Sequence, residues 1–122
     1  MKNELPDEFW KGIEEFNAGK FFECHETLEA VWAKQSDPER ELTQGIIQIA
    51  VAYYHLGRQN PKGALKLFER GLARVQKFPS PSFGMDTEKL IEEVKATQRA
   101  IGACHAAENE FSKLPRIEIL PG

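Results

Sequence analysis

The chain has 122 residues, a net charge of −3, 41% hydrophobic residues and 29% charged residues, as is usual for a globular domain. Its eight Phe, two Trp and two Tyr exclude a disordered chain. The slight acidic excess excludes the strongly basic class of nucleic-acid-binding domains, so we expect neither nucleic acid nor a membrane as the partner.

Targeting and cysteine patterns favour the cytoplasm. The first residues lack the apolar run of a signal peptide, and the longest apolar stretch, residues 46–54, is too short to span a bilayer. Cys24 and Cys104 show no CxxC spacing, which argues against a cysteine metal site. We expect reduced thiols in that compartment, and one disulfide between the two cysteines stays possible.

The first half of the chain predicts three helices. The first begins at Pro6, followed by two acids that suit a helix N-terminus, and ends at Gly19. The second covers about residues 21–35. The third, about residues 38–56, is apolar on nearly all sides, which is typical of a buried helix.

The second half predicts two more helices. Gly57 ends the third helix, and Asn60 begins a fourth that runs to about Phe78. Residues 79–84 form a loop, and either Asp86 or the following threonine caps a fifth helix. That helix carries inward-facing apolar residues as far as Phe111.

Short connections make consecutive helices antiparallel. After Gly57, the Ala-Leu-x-x-Phe-Glu pattern of residues 64–69 looks like the helix-turn-helix of a tetratricopeptide repeat. The predicted fold is therefore all-α, a five-helix bundle of antiparallel helical hairpins with tetratricopeptide-like packing. We expect a single domain over residues 1–122, with its core over about 6–112 and a C-terminal tail at 113–122.

Polar residues concentrate on two of these helices. The sequence His25-Glu26-x-x-Glu29-x-x-Trp32 puts His25 and Glu29 on one helix face, four residues apart. On the third helix Gln44, Gln48 and His55 form a polar stripe without permanent charge. We expect this stripe to pack against His25 and the two glutamates, because buried polar groups need partners. The candidate polar site comprises His25, Glu26, Glu29, Trp32, Gln44, Gln48 and His55.

Two interpretations of this site stay open. One histidine and two carboxylates can bind a divalent metal, with His25, Glu26 and Glu29 as candidate ligands, or serve as an acid–base pair. Glu29 stands where a zincin motif has its second histidine, which removes the main argument for a metalloprotease. Alternatively, the same residues form a hydrogen-bonded network that only fixes helix pairing. Trp32 is expected in the core, and His105 could approach the same region.

Charges are segregated along the chain. Lys62, Lys66, Arg70 and Arg74 follow one another at four-residue steps on the fourth helix, whereas residues 4–29 are mainly acidic. The basic row could bind phosphate or an acidic partner, but a solvated helix face explains it as well and is favoured here. The segregation also suits head-to-tail self-association.

Residues 17–32, written Asn-x-Gly-x-Phe-Phe-Glu-Cys-His-Glu-x-x-Glu-x-x-Trp, resemble the signature of the bacterial and archaeal proteins grouped as domain of unknown function 309. The pattern Gln44-Gly45-Ile-Ile-Gln48-x-Ala50 and the later Tyr54-His55 also fit, so the resemblance covers about residues 7–78. It implies a compact helical domain in which His25 to Trp32 form the shared motif. It implies no reaction.

The sequence thus favours a non-enzymatic interaction or structural module, with a protein or peptide partner or a second copy of the chain. The alternative is a metal-assisted hydrolase or a small-ligand-binding protein that uses His25, Glu26 and Glu29. Whether the protein is an enzyme stays open.

Overall fold

The structure is a computed structural model that describes residues 5–103 and residue 117. Its five helices are α1 (Asp7–Asn17), α2 (Phe21–Trp32), α3 (Glu39–Gly57), α4 (Pro61–Val75) and α5 (Thr87–Ala103). Within the described residues, the single β-type contact is an isolated bridge between Ser82 and Met85. The all-α prediction is confirmed.

The predicted signals place most helix ends correctly. Gly19 has φ 80°, as a left-handed stop after α1 requires. Asn60 accepts a hydrogen bond from the Gly63 N–H at the start of α4, and Asp86 accepts one from the Lys89 N–H at the start of α5. The α2 and α4 helices end three residues earlier than predicted, at Trp32 and Val75.

The end of α3 differs from the expectation. Gly57 is the last helical residue, and the left-handed conformation falls on Gln59, with φ 62°. There the N–H groups of Gln59 and Asn60 donate to the carbonyls of Leu56 and His55. These bonds satisfy carbonyls that the helix end leaves without a partner.

The α3 helix lies between α2 and α4. At one end, Phe22 in the first turn of α2 contacts Tyr54 near the end of α3. At the other end, Gly45 near the start of α3 approaches Val75 at the end of α4. Both neighbours are therefore antiparallel to α3, so α2 and α4 run in the same direction.

Tyr53 is the central aromatic residue of the core. Its ring stacks on Phe21, meets Phe68 edge-on, and thereby joins α2, α3 and α4. Its hydroxyl lies 3.1 Å from the Thr97 hydroxyl on α5. Burial raises the pKa of Tyr53 to about 12, with Glu93 adding to the effect against the Thr97 hydrogen bond.

Two glycines bring α3 and α4 into close contact. A methyl group at Gly71 would lie 2.9 Å from the carbonyl oxygen of Gly45, and one at Gly45 would lie 3.2 Å from the carbonyl oxygen of Gly71. The two helix backbones therefore pack directly on each other, and Gly45 in the predicted motif has a packing role.

Asn17 holds a segment from far along the chain. Its side-chain amide donates to the Ile117 carbonyl at 3.0 Å, and its side-chain oxygen accepts from the Ile117 N–H at 2.6 Å. The Ile117 side chain is fully buried. Part of the predicted tail thus belongs to the core, whereas the predictions for Phe111, His105 and Cys104 concern positions outside the described residues.

In the part of the chain that the structure describes, each helix is too short or too polar to cross a lipid bilayer.

Candidate functional site

His25 and Glu29, which the sequence places on one helix face, form a pair in the structure. His25 Nε2 lies 3.2 Å from Glu29 Oε2, one helical turn away on α2. The side chains are 28% and 58% exposed, respectively, so the pair lies at the surface and not within the core. The imidazole is accessible to a partner, and the carboxylate can orient it by accepting its Nε2–H hydrogen.

Aromatic rings lie beside the pair of His25 and Glu29. The Phe22 ring centroid lies 5.9 Å from that of His25 and 5.6 Å from that of Tyr54 on α3. The Arg58 guanidinium lies 5.6 Å from the Tyr54 ring centroid on the other side. The result is a row of rings, with Phe22 between His25 and Tyr54, across the seam between α2 and α3.

Phe22 is the residue that sequence reasoning omitted from the site. Of the large hydrophobic side chains in residues 5–103 and at residue 117, it is the exposed one, at 47%. The sequence feature that could have identified Phe22 is the pair Phe21-Phe22 at the start of a helix. Two adjacent helical residues point about 100° apart, so only Phe21 can enter the core that holds Tyr53.

Trp32, at the other end of α2, is half-buried against the core, as predicted. The Arg40 guanidinium lies 3.8 Å from the centre of its ring, and Arg40 Nε donates to the Trp32 carbonyl at 3.3 Å. The indole is therefore covered by the start of α3, and its cation–π contact reinforces the turn between α2 and α3.

The predicted contact between Gln48 and the His25 face is wrong. Gln48 Oε1 instead accepts a hydrogen bond from Arg74 Nε on α4 at 3.1 Å. Arg74 also pairs with Glu41 at 2.7 Å, and Lys77 pairs with the same carboxylate at 2.8 Å. The rotation of α3 about its axis, set by the glycine contact with α4, puts Gln48 on the α4 side.

The second polar cluster, formed by Glu41, Gln48, Arg74 and Lys77, is held together by ion pairs and a hydrogen bond. The hydrogen bond from Lys77, together with the positive charges of Arg74 and Lys77, holds the pKa of the Glu41 carboxyl below its usual range. Arg74 and Lys77 are therefore paired with an acid of the same chain. Gln44 and His55, the other predicted α3 members, are half-buried, and the His55 ring lies 6.2 Å from Tyr54.

The candidate metal ligands do not converge. Glu26 is exposed on the outer side of α2, and His25 pairs with Glu29. Among the described residues, no group of three His, Cys, Asp or Glu side chains is placed to bind one metal ion. The arrangement provides an imidazole, a carboxylate and aromatic surface for contacts from outside.

Cys24 is not available for chemistry. Its side chain is fully buried and forms no disulfide within the described residues. Burial, with a smaller contribution from Glu15, raises its pKa to about 12.

A depression of about 310 Å³ lies away from the His25 pair, at the opposite end of α2. It is lined by Leu5, Pro6, Lys34, Gln35, Ser36 and Glu39.

The outer sides of α2, α3 and α4 together form one surface, which we term the three-helix face. Its α3 part consists of the half-buried residues Gln44, Gln48, Val51, Tyr54 and His55. The α2 edge presents exposed Phe22, Glu26 and Glu29, and the α4 edge presents exposed Lys66 and Arg70. The α3 part, where the charge of Glu41 is neutralised by Arg74 and Lys77, thus lies between an acidic and a basic edge.

Comparisons with known proteins concern the same region. A family model described as "Domain of unknown function (DUF309)" matches residues 9–67. Uncharacterized protein YpuF of Bacillus subtilis (strain 168) is 36% identical over 92 residues, which are 71% of this chain and 52% of YpuF, so the chain spans about half of that relative's length.

A solved structure has the same fold. The crystal structure of the conserved hypothetical protein TTHA0068 from Thermus thermophilus aligns with a TM-score of 0.64 at 33% sequence identity. The alignment covers 79% of this chain and 99% of that chain, which supports the helical architecture independently.

Proposed function

We propose that this chain, which belongs to the DUF309 family, is a non-enzymatic interaction module that binds a protein through the three-helix face. The description of the family names no activity, so the proposal rests on the site alone. The exposed ring of Phe22, fixed against His25 and Tyr54, carries this proposal. The ring occupies the motif segment without contributing to the core.

Isolated exposed hydrophobic residues are common on protein surfaces and need no explanation by themselves. Phe22 differs because two other rings hold it in place, so that little side-chain freedom remains to be lost when a partner binds. Aromatic residues held in this way are frequent energetic centres of protein interfaces.

The polar surroundings of Phe22 favour recognition over chemistry. His25 can donate a hydrogen bond, Glu26 and Glu29 can accept hydrogen bonds or pair with cations, and all three lie within two turns of the ring. Such a mixture of one apolar anchor and a polar rim is the usual composition of a protein–protein contact.

Site-specific photo-crosslinking in the native cells tests the proposal. A photo-reactive phenylalanine analogue at position 26, on the exposed side of α2, should give a discrete crosslinked protein product. The same analogue at position 14, exposed on α1, is the matched control and should not give that product.

Phe22→Ala supplies the second test. Because the ring is about half exposed, its removal should change the free energy of unfolding by no more than about 1 kcal/mol, while the position-26 product should be lost. If the product persists without the ring, or if positions 14 and 26 crosslink equally, the interaction proposal is wrong.

A further inference from the structure

The two edges of the three-helix face carry opposite charges at similar spacings. Along α2 the exposed residues Phe22, Glu26, Glu29 and Ala33 follow at steps of four, three and four residues. Along α4 the exposed residues Lys62, Lys66, Arg70 and Ala73 follow at steps of four, four and three residues. Each row is one stripe along its helix.

Among the described residues, the ion pairs within the molecule do not involve Glu26, Lys66 or Arg70, whereas Glu29 pairs with His25. Arg74 and Lys77 are neutralised by Glu41, whereas Lys66 and Arg70 lie further along α4 from that cluster and are exposed. Exposed Glu69 is the one acid on α4, about 100° around the helix from Arg70 and three residues from Lys66, so it offsets part of the positive charge of this edge. The α4 edge of the face remains basic.

The direction of the helices determines how two such faces can meet. Since α2 and α4 both run antiparallel to α3, rotation of a second copy by 180° about an axis parallel to α3 places each α2 over the other copy's α4, in the same direction. With Phe22 opposite Lys62, Glu26 then faces Lys66, and Glu29 faces Arg70 to within one residue of helix rise, about 1.5 Å. The same contacts recur on the other side of the axis, as in any two-fold interface.

We infer that the three-helix face binds a second copy of this chain in such a two-fold dimer, an inference that rests on the interaction function proposed above. Phe22 then covers the aliphatic part of Lys62, and Ala33 meets Ala73. Along the axis, the uncharged α3 residues of the two copies, Val51 among them, face each other.

The size of the face agrees with a stable dimer. The helices α2, α3 and α4 are about 18, 28 and 22 Å long, and side by side at a width of about 9 Å each they give a projected face of roughly 600 Å². The accessible surface of a ridged helical layer exceeds its projection, and stable interfaces bury about 800 Å² per partner.

Sedimentation velocity over a wide range of protein concentration tests the inference. The wild-type chain should dimerise, and added salt should weaken the dimer because the edges are exposed to solvent. The double variant Glu26→Lys with Glu29→Lys should raise the dissociation constant about 100-fold or more, because like charges then face each other. Lys66→Glu with Arg70→Glu should do the same.

The mixture of these two double variants is the decisive sample. In one variant both edges are basic and in the other both are acidic, so neither pairs with itself, but an equimolar mixture should form the heterodimer with near wild-type affinity. Glu14→Lys, an exposed charge reversal on α1, is the control and should leave dimerisation unchanged.

Three results would overturn the dimer: a monomer at all concentrations, a dimer that tolerates both double variants, or a mixture that stays monomeric although wild type dimerises. None of these decides the interaction proposal itself. A Phe22-dependent crosslink to a different protein from position 26 would keep that proposal while excluding the second copy as the partner.

Discussion

The contact between α3 and α4 leads to a quantitative prediction for Gly71→Ala. A methyl group at this position would lie 2.7 Å from Ile49 Cγ1, 2.9 Å from the Gly45 carbonyl oxygen and 3.2 Å from the Ile49 nitrogen. The side-chain carbon can move, but the two backbone atoms belong to α3 and move only with the helix. The methyl group therefore forces the helices apart.

Two effects of opposite sign decide the size of the change. Replacing glycine by alanine inside a helix stabilises it by about 1 kcal/mol. Overpacking a close contact costs about 1–3 kcal/mol, and the upper part of this range applies where backbone must shift. We expect the free energy of unfolding to fall by about 1–2 kcal/mol, and Tm to fall by roughly 4–8 °C.

Urea and thermal unfolding followed by circular dichroism measure the change. Gly102→Ala is the matched control, since within the described residues, apart from its own helix backbone and chain neighbours, no atom of this chain lies within 4 Å of the added methyl position. It should gain about 0.4–1 kcal/mol from the same substitution. If Gly71→Ala were as stable as wild type, or if both variants gained stability alike, the close-contact explanation would be refuted.

Three further results are expected. Tyr53→Phe should lose about 1 kcal/mol at neutral pH. The free energy of unfolding of the wild type should fall relative to that of this variant as pH rises from 10 towards 12. The folded pKa of Tyr53, about 12, lies above the ordinary value of 10.0, so unfolding releases a proton in this range. Equal pH profiles for the two proteins would contradict this. In a Cys104→Ser background, Cys24 should react with Ellman's reagent only on unfolding, and rapid labelling of the native protein would disprove its burial. Asn17→Ala should lose about 1–3 kcal/mol, since it removes both hydrogen bonds to the Ile117 main chain; an alanine variant as stable as wild type would show that the contact is dispensable.

Local chemistry made the helices predictable. Proline and asparagine at the start of α4 and glycine after α1 act through their own backbone preferences, and the structure places both ends within a residue or two. The left-handed residue after α3 was missed because Gln59 has no intrinsic preference for that conformation. The adjoining turn imposes it.

The candidate site was predictable only along one helix. The pair of His25 and Glu29 follows from a spacing of four, which any α-helix converts into a contact. The partner of Gln48 depends instead on how α3 is rotated against α4, and that rotation follows from Gly45 meeting a glycine from another part of the chain. No periodicity within α3 contains this information.

The bond between Asn17 and Ile117 also has a consequence for the order of folding. The most extensive helix contacts join consecutive helices, so most native structure forms between neighbours in sequence, as in rapidly folding proteins. The Asn17 contact spans 100 residues. We expect it to form last and open first, so that the Ile117 amide exchanges its hydrogen with solvent far sooner than the amides in the middle of α3.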